Sequence, residues 1–129
     1  MAILVDNMQW VLIACGLLTC SMIEAVLAPR RVMQNYFGET LTNRTADLIV
    51  RNWGALVAAG GVFLIYSAFN PAIRPPVLIF IGTGKLVFIA LMLMAGKPTR
   101  QARLAIIIDG LMIVLFAAYL LATQGSPTA

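Results

Sequence analysis

The sequence predicts an all-α integral membrane protein, a four-helix bundle with a short interfacial helix between its first and second helices. Hydrophobic residues make up 61% of the chain and charged residues only 11%, whereas a soluble domain usually carries about 25% charged residues. The apolar residues fall in four runs, each long enough to cross a bilayer as a helix. Short polar connections separate the runs, and the length of 129 residues fits a single transmembrane domain, residues 1–129.

The first predicted helix extends from about residue 6 to residue 28 and carries Glu24 near its C-terminal end. Pro29 is expected to end it, and Arg30 with Arg31 marks the membrane surface. No basic segment precedes the apolar run, so a cleaved signal peptide is not expected. This first helix should therefore be kept in the protein.

The segment PRRVMQNYFG, residues 29–38, is predicted to form the short interfacial helix. Its proline stands at a favourable helix-start position, and Gly38 is suited to ending a helix. Its apolar side chains give one turn an amphipathic character, at Val32, Met33, Tyr36 and Phe37. A helix of this kind lies on the membrane surface. The alternative interpretation is an ordinary surface loop.

The second predicted helix, residues 44–69, has two unlike faces at 100° per residue. Arg51, Gly54 and Ala58 share one face, on which small residues let a neighbouring helix come close. Bulky apolar residues, among them Trp53 and Leu64, share the opposite face. The sequence therefore predicts that the small and charged face packs on other helices and that the Trp53 face meets lipid.

The third predicted helix, residues 77–95, follows a short connection that contains three prolines, residues 70–76. Because this connection is short and stiff, the second and third helices should be antiparallel neighbours. The run Gly82-Thr83-Gly84-Lys85 matches part of a phosphate-binding loop, but the full pattern is absent and no nucleotide site is predicted. Gly82 and Gly84 are interpreted as helix-packing positions, together with Gly54 and Ala58.

The fourth predicted helix covers residues 102–122, and the basic residues predict how the chain is oriented. One side of the predicted membrane carries only Arg74 in its connection, and the other side carries six basic residues: Arg30, Arg31, Arg44, Lys97, Arg100 and Arg103. The positive-inside rule then puts both basic connections in the cytoplasm and both termini outside. Because the bases stand at the ends of apolar runs, membrane topology explains them better than nucleic-acid binding does.

Each predicted helix also carries one charge within the membrane, namely Glu24, Arg51, Lys85 and Asp109. The helix rise of about 1.5 Å per residue allows all four to meet in the inner half of the membrane. Since an unpaired charge at this depth costs at least about 2.5 kcal/mol, we expect the pairs Glu24–Arg51 and Lys85–Asp109, with the exchanged pairing as an alternative. The pairs either fix the helix register or line a polar cavity for a ligand, a proton or a lipid headgroup.

The chain contains no histidine. This removes the usual haem ligand, the commonest zinc ligand and the commonest general base. The sequence therefore predicts no catalytic, metal-binding or cofactor-binding residue, and a membrane redox enzyme would need a separate subunit to hold its cofactor.

Scattered residues in all four helices resemble those of a family of small bacterial four-helix membrane proteins of unassigned function, distantly akin to the DoxX-like proteins. The resemblance rests on the end of helix one (24–29), Phe37-Gly38, Arg51 with Gly54, the run 82–85, and Asp109-Gly110. It implies a bacterial inner-membrane location. Some DoxX-like relatives are linked to quinone-coupled sulfur oxidation or to membrane redox complexes.

Two functional hypotheses follow. The first is a small non-catalytic accessory or structural subunit of a larger membrane complex, or a homo-oligomer, that packs against partner helices and lipid. The second is a carrier or binding protein for a small hydrophobic or quinone-like molecule, with the paired charges lining its site.

Overall fold

The computed structural model describes residues 2–96 and 98–124, which are all-helical as predicted. Lys97, which contributes to the orientation argument, lies outside the described residues, as do both chain termini. The helices are α1 (Ala2–Asp6), α2 (Met8–Cys20), α3 (Glu24–Leu27), α4 (Pro29–Phe37), α5 (Arg44–Ala68), α6 (Arg74–Met94) and α7 (Arg100–Gln124). One-turn 3₁₀ segments at Ser21–Ile23 and Pro71–Ile73 lead into α3 and α6.

Four segments of 20 to 25 residues are long and apolar enough to cross a membrane: Met8–Leu27, Arg44–Ala68, Pro71–Met94 and Arg100–Gln124. The third helix begins at Arg74, earlier than the sequence predicts, because two prolines stand in its first turn. A proline there removes no intrahelical hydrogen bond, so it starts a helix as readily as it ends one. The short helix α1 was not predicted, and Asn7 separates it from α2.

One hydrophobic cluster draws side chains from all four long helices. Leu12 of α2, Leu64 of α5, Leu78 of α6 and Phe116 of α7 are each at most 2% exposed within it. A smaller cluster around Ala25 and Val32 packs the turn between α3 and α4 against α5. Leu64 belongs to the helix face that was predicted to meet lipid, so that part of the prediction is wrong.

The helices α2 and α5 approach each other closely, and this approach depends on glycine. A Cβ added at Gly16 would lie 2.7 Å from the carbonyl oxygen of Gly61. A Cβ at Gly61 would lie 2.6 Å from the backbone nitrogen of Cys20. Gly54 makes a similar approach to Ala25 of α3, and Ala58 is buried on the same face. The small face of α5 therefore packs on the first long segment.

The other two glycines that the sequence suggests as packing positions do not bring helices together within this chain. A Cβ at Gly82 would make only an ordinary contact, 3.8 Å from the ring of Phe116, and a Cβ at Gly84 would meet nothing within 4 Å. The close approach instead uses Gly16 and Gly61. Glycine content alone does not distinguish these two situations, because it says nothing about the position of the neighbouring helix.

The segment that was predicted as an interfacial helix or a loop is helical, and it is tied to the start of α7. Gly38 ends α4 in the left-handed conformation, with φ of 66°, as the sequence predicts. The Thr99 hydroxyl lies 2.7 Å from the Asn35 carbonyl oxygen and accepts from the backbone N–H of Ala102. Thr99 therefore caps the start of α7 and also satisfies a carbonyl group at the end of α4.

Candidate ligand-binding site

Lys85 and Asp109 form an ion pair between α6 and α7, near the middle of α6. The Nζ atom of Lys85 lies 2.8 Å from Oδ1 of Asp109, and the two side chains are only 10% and 18% exposed. This is one of the two pairs that the sequence favours. A pair this well removed from solvent is stronger than one on a soluble surface, because the local dielectric screens it less.

The predicted Glu24–Arg51 pair is wrong, because each side chain has a nearer partner. Oε1 of Glu24, in α3, lies 3.3 Å from Nη1 of Arg31, which is in the first turn of α4. Nε of Arg51 lies 2.8 Å from Oδ2 of Asp47, one turn earlier in the same helix. Arg51 also donates from Nη1 to the carbonyl oxygen of Val26. The alternative pairs, Glu24–Lys85 and Arg51–Asp109, do not form either, because each of these side chains has another partner. The four charges therefore do not form one network.

A cavity of about 450 Å³ lies between the four long segments, with the Lys85–Asp109 pair in its wall. Most of the wall is apolar or aromatic, and its large side chains include Leu56, Trp53, Phe80, Phe88 and Met112. Thr19, Ser21 and Tyr36 add hydroxyl groups. Leu56 and Phe80 of this wall are also largely exposed, so the cavity is open at the surface of the helices near these two side chains.

Trp53 forms part of this wall, whereas the sequence placed it against lipid. Its ring stacks on Phe88 of α6 with centroids 6.2 Å apart, and it meets the edge of Phe37 at 6.1 Å. Contacts on two sides fix the indole ring, and such aromatic pairs contribute beyond the area they bury. Phe37 belongs to α4, whose position relative to α5 cannot be read from the periodicity of either helix.

The polar groups of the cavity can hydrogen-bond an oxygen-bearing ligand. A lysine ammonium has three N–H donors, of which Lys85 uses one on Asp109. The Thr19 hydroxyl donates to the Cys15 carbonyl oxygen at 2.8 Å, which leaves its oxygen able to accept. The cavity therefore combines a large apolar surface with a few fixed polar groups, the composition of small-molecule sites.

Arg74 is a buried cation that the sequence assigned only to a connection. It is 8% exposed, and its Nε and Nη2 donate to the carbonyl oxygens of Ser67 and Ala68 at 2.9 and 2.8 Å. Its Nη1 lies 3.3 Å from the Tyr119 hydroxyl, and its guanidinium lies 5.8 Å from the centre of that ring. A cation at the C-terminal end of α5 interacts favourably with the helix dipole. In the sequence, this role could have been predicted from the position of Arg74 shortly after the end of a long predicted helix.

Substitution of Arg74 by methionine is expected to lower the free energy of unfolding by about 2 kcal/mol, because charged hydrogen bonds to buried carbonyls are lost. Tyr119→Phe keeps the ring and removes only the longest of these hydrogen bonds, so a loss below about 1 kcal/mol is expected. Denaturant titration of both variants in the same detergent measures the difference. Equal stabilities of Arg74→Met and the unmodified protein would show that the hydrogen bonds from Arg74 to the end of α5 do not stabilise the fold.

The four long apolar helices support a membrane protein. Comparison of the chain with protein-family models, with curated proteins and with solved structures found no match. Its function is therefore argued from the cavity and from the charges around it.

Proposed function

We propose that this chain is an integral membrane four-helix bundle that binds a small, neutral, mainly apolar molecule in the cavity beside Lys85 and Asp109. The observation that carries this proposal is a cavity of about 450 Å³ with aromatic side chains and one ion pair in the same wall. Small-molecule sites commonly have volumes of about 300–1,000 Å³ and only a few polar groups.

The outer surface of the long helices supports insertion into a membrane. Large apolar side chains are exposed on every long segment, for example Ile49 (63% exposed), Ile79 (59%) and Leu121 (68%). In water such a surface would be an extended apolar patch. In a bilayer the same side chains are surrounded by apolar acyl chains.

The distribution of arginine supports an orientation with the termini outside and the basic connections in the cytoplasm. Arg30, Arg44 and Arg100 are exposed at the connections on one side. Arg74, the basic residue at the opposite connection, is turned inward onto the end of α5. The positive-inside rule favours the exposed arginines on the cytoplasmic face, in keeping with a bacterial inner membrane.

The charge of the site favours a neutral ligand with a hydrogen-bond acceptor. Because Lys85 and Asp109 neutralise each other, a carboxylate ligand would place an additional negative charge beside Asp109. A carbonyl or hydroxyl oxygen can instead accept from the remaining N–H groups of Lys85. The flat rings of Trp53 and Phe88 suit a planar ring, so a quinone-like molecule fits this wall well.

Gly84→Leu is expected to weaken binding of a short-chain quinone at least about tenfold, or about 1.4 kcal/mol. Gly84 lines the cavity, and a Cβ there meets no atom within 4 Å, so the new side chain has room to occupy cavity space. Quenching of tryptophan fluorescence during quinone titration of the detergent-solubilised protein measures the dissociation constant, because Trp53 lies in the wall.

Gly110→Leu is the matched control for this substitution. A Cβ at Gly110 also meets nothing within 4 Å, but this residue lies in α7 and does not line the cavity. It should leave the dissociation constant within about twofold of the unmodified value. Equal binding by both variants and by the unmodified protein would count against this cavity as the site.

The alternative function that the sequence predicts is an accessory or structural subunit of a larger membrane complex. The resemblance to the DoxX-like proteins also stays a prediction. The outward apolar faces of α6 and α7, with Leu93 and Ile107 among their exposed residues, suit a partner helix as well as lipid. Native mass spectrometry of protein gently extracted from its own membrane separates the two functions. Additional polypeptides at fixed stoichiometry support the subunit, and a reproducible small-molecule mass supports the binding protein.

A further inference from the structure

A second cavity, of about 640 Å³, lies where the turn between α3 and α4 faces the start of α5. Four arginines line it: Arg30, Arg31, Arg44 and Arg51. We refer to this cavity as the arginine pocket. From the sequence, Arg30 and Arg31 were interpreted as markers of the membrane surface, Arg44 was counted with them for the orientation, and Arg51 was assigned to a different pair.

The arginine pocket keeps a positive charge after its internal ion pairs are counted. Arg31 pairs with Glu24 and Arg51 pairs with Asp47. Over residues 2–96 and 98–124, neither Arg30 nor Arg44 forms an ion pair. Four arginines against two carboxylates leave two positive charges, those of Arg30 and Arg44, on exposed side chains that line one cavity.

Apolar side chains beside the arginines indicate that the ligand of the pocket is a membrane lipid. Leu27 is 76% exposed and is the last residue of the first long apolar segment. Leu41, which also lines the pocket, is partly buried. In the membrane arrangement that we propose, Leu27 would meet acyl chains while Arg30 and Arg44 reach the headgroup layer. The pocket thus combines exposed arginine side chains with apolar side chains next to the end of an apolar segment.

We propose that the arginine pocket binds the phosphate group of an anionic phospholipid. Guanidinium groups match the oxygens of phosphate in a forked, bidentate geometry, and arginine is favoured at phosphate sites for this reason. Basic clusters next to membrane segments attract anionic lipids. This site is separate from the cavity beside Lys85, so it stands independently of the small-molecule ligand proposed there.

The test uses the full chain in a mild detergent, titrated with phosphatidylglycerol or with phosphatidylcholine and followed by native mass spectrometry. The variant Arg30→Gln/Arg44→Gln removes the two unpaired charges and leaves Glu24 and Asp47 with their partners. The control Arg100→Gln/Arg103→Gln removes the same net charge from exposed residues of α7 that do not line the pocket. Thermal unfolding verifies that both variants remain folded.

The unmodified protein is expected to prefer phosphatidylglycerol, and the pocket variant to lose about tenfold or more in affinity for it. The control should lose less than about twofold. No preference between the two lipids, or equal losses in the two variants, would overturn the proposal. A third arm uses inorganic phosphate alone: if it binds with the same dependence on Arg30 and Arg44 while phosphatidylglycerol does not, a soluble phosphate replaces the lipid as the source.

Discussion

Replacing Asp109 by asparagine is expected to lower the free energy of unfolding by about 3 kcal/mol, because Lys85 would keep its charge without a counter-ion. The two groups lie 2.8 Å apart in a setting where the lysine side chain is only 10% exposed. Lys85→Met is expected to destabilise the protein similarly, since it leaves the carboxylate unpaired. Tryptophan fluorescence during denaturant titration measures both losses.

The double variant Lys85→Met/Asp109→Asn should recover most of the stability that either single change removes. Neither charge then remains unpaired, and replacing a buried pair by uncharged groups is often nearly neutral. A coupling energy of about 2 kcal/mol or more in the double-mutant cycle would establish the interaction. Additive losses would exclude it, as would a folded Asp109→Leu variant that melts at the temperature of the unmodified protein.

The same double variant separates a structural role of the pair from a role in binding. If the pair only fixes the register of α6 against α7, the double variant should fold and bind a short-chain quinone normally. If Lys85 donates a hydrogen bond to the ligand, as we propose, the double variant should fold and still bind more weakly. Gly110→Leu serves as the control, because it changes α7 without changing the pair.

The Lys85–Asp109 pair shows what a sequence can predict about such a site. Each residue is the single charge in the interior of its helix, and the two helices are joined by a short connection. Depth estimates from helix rise therefore bring the two heads to similar levels. No competing partner stands nearby in either helix, so the long-range pair forms.

The Glu24–Arg51 prediction failed because local partners were available. Asp47 stands four residues before Arg51, a spacing that places the two side chains together on one helix face. Arg31 lies close to Glu24 because the chain turns at Pro29. Depth arguments compare helices with each other and do not weigh such local competition.

Neither cavity could be predicted from periodicity. Hydrophobic spacing identified the four apolar helices and the small face of α5, but it did not say which helix would pack there. The wall around Trp53 needs Phe37 from α4 and Phe88 from α6, whose relative positions depend on the packing of several helices. The arginine pocket similarly needs the turn after α3 to face the start of α5.

Gly61→Ala is expected to lower the free energy of unfolding by about 3 kcal/mol, even though alanine favours a helix more than glycine does. The new Cβ would lie 2.6 Å from the Cys20 nitrogen and 2.7 Å from the Gly16 oxygen. Both contacts are with the backbone of α2, so no side-chain rotation can relieve them. The helices α2 and α5 must move apart or the chain must unfold.

Two other glycines provide matched controls for Gly61→Ala. A Cβ at Gly60 would lie 2.8 Å from Cδ1 of Ile81, the flexible end of a side chain, so Gly60→Ala should cost less than about 1 kcal/mol. A Cβ at Gly110 meets nothing within 4 Å, so Gly110→Ala should be neutral or stabilising by up to about 1 kcal/mol. Thermal unfolding of the three variants in one detergent measures this order.

The packing of α2 on α5 should also control the cavity, because both helices supply its walls through residues such as Thr19 and Val57. If Gly61→Ala separates the helices while the protein stays folded at low temperature, quinone binding should weaken as well, although Gly61 does not line the cavity. Gly110→Ala should leave binding unchanged. A Gly61→Ala protein with unaltered stability and unaltered binding would show that α2 and α5 do not approach as closely as this packing requires.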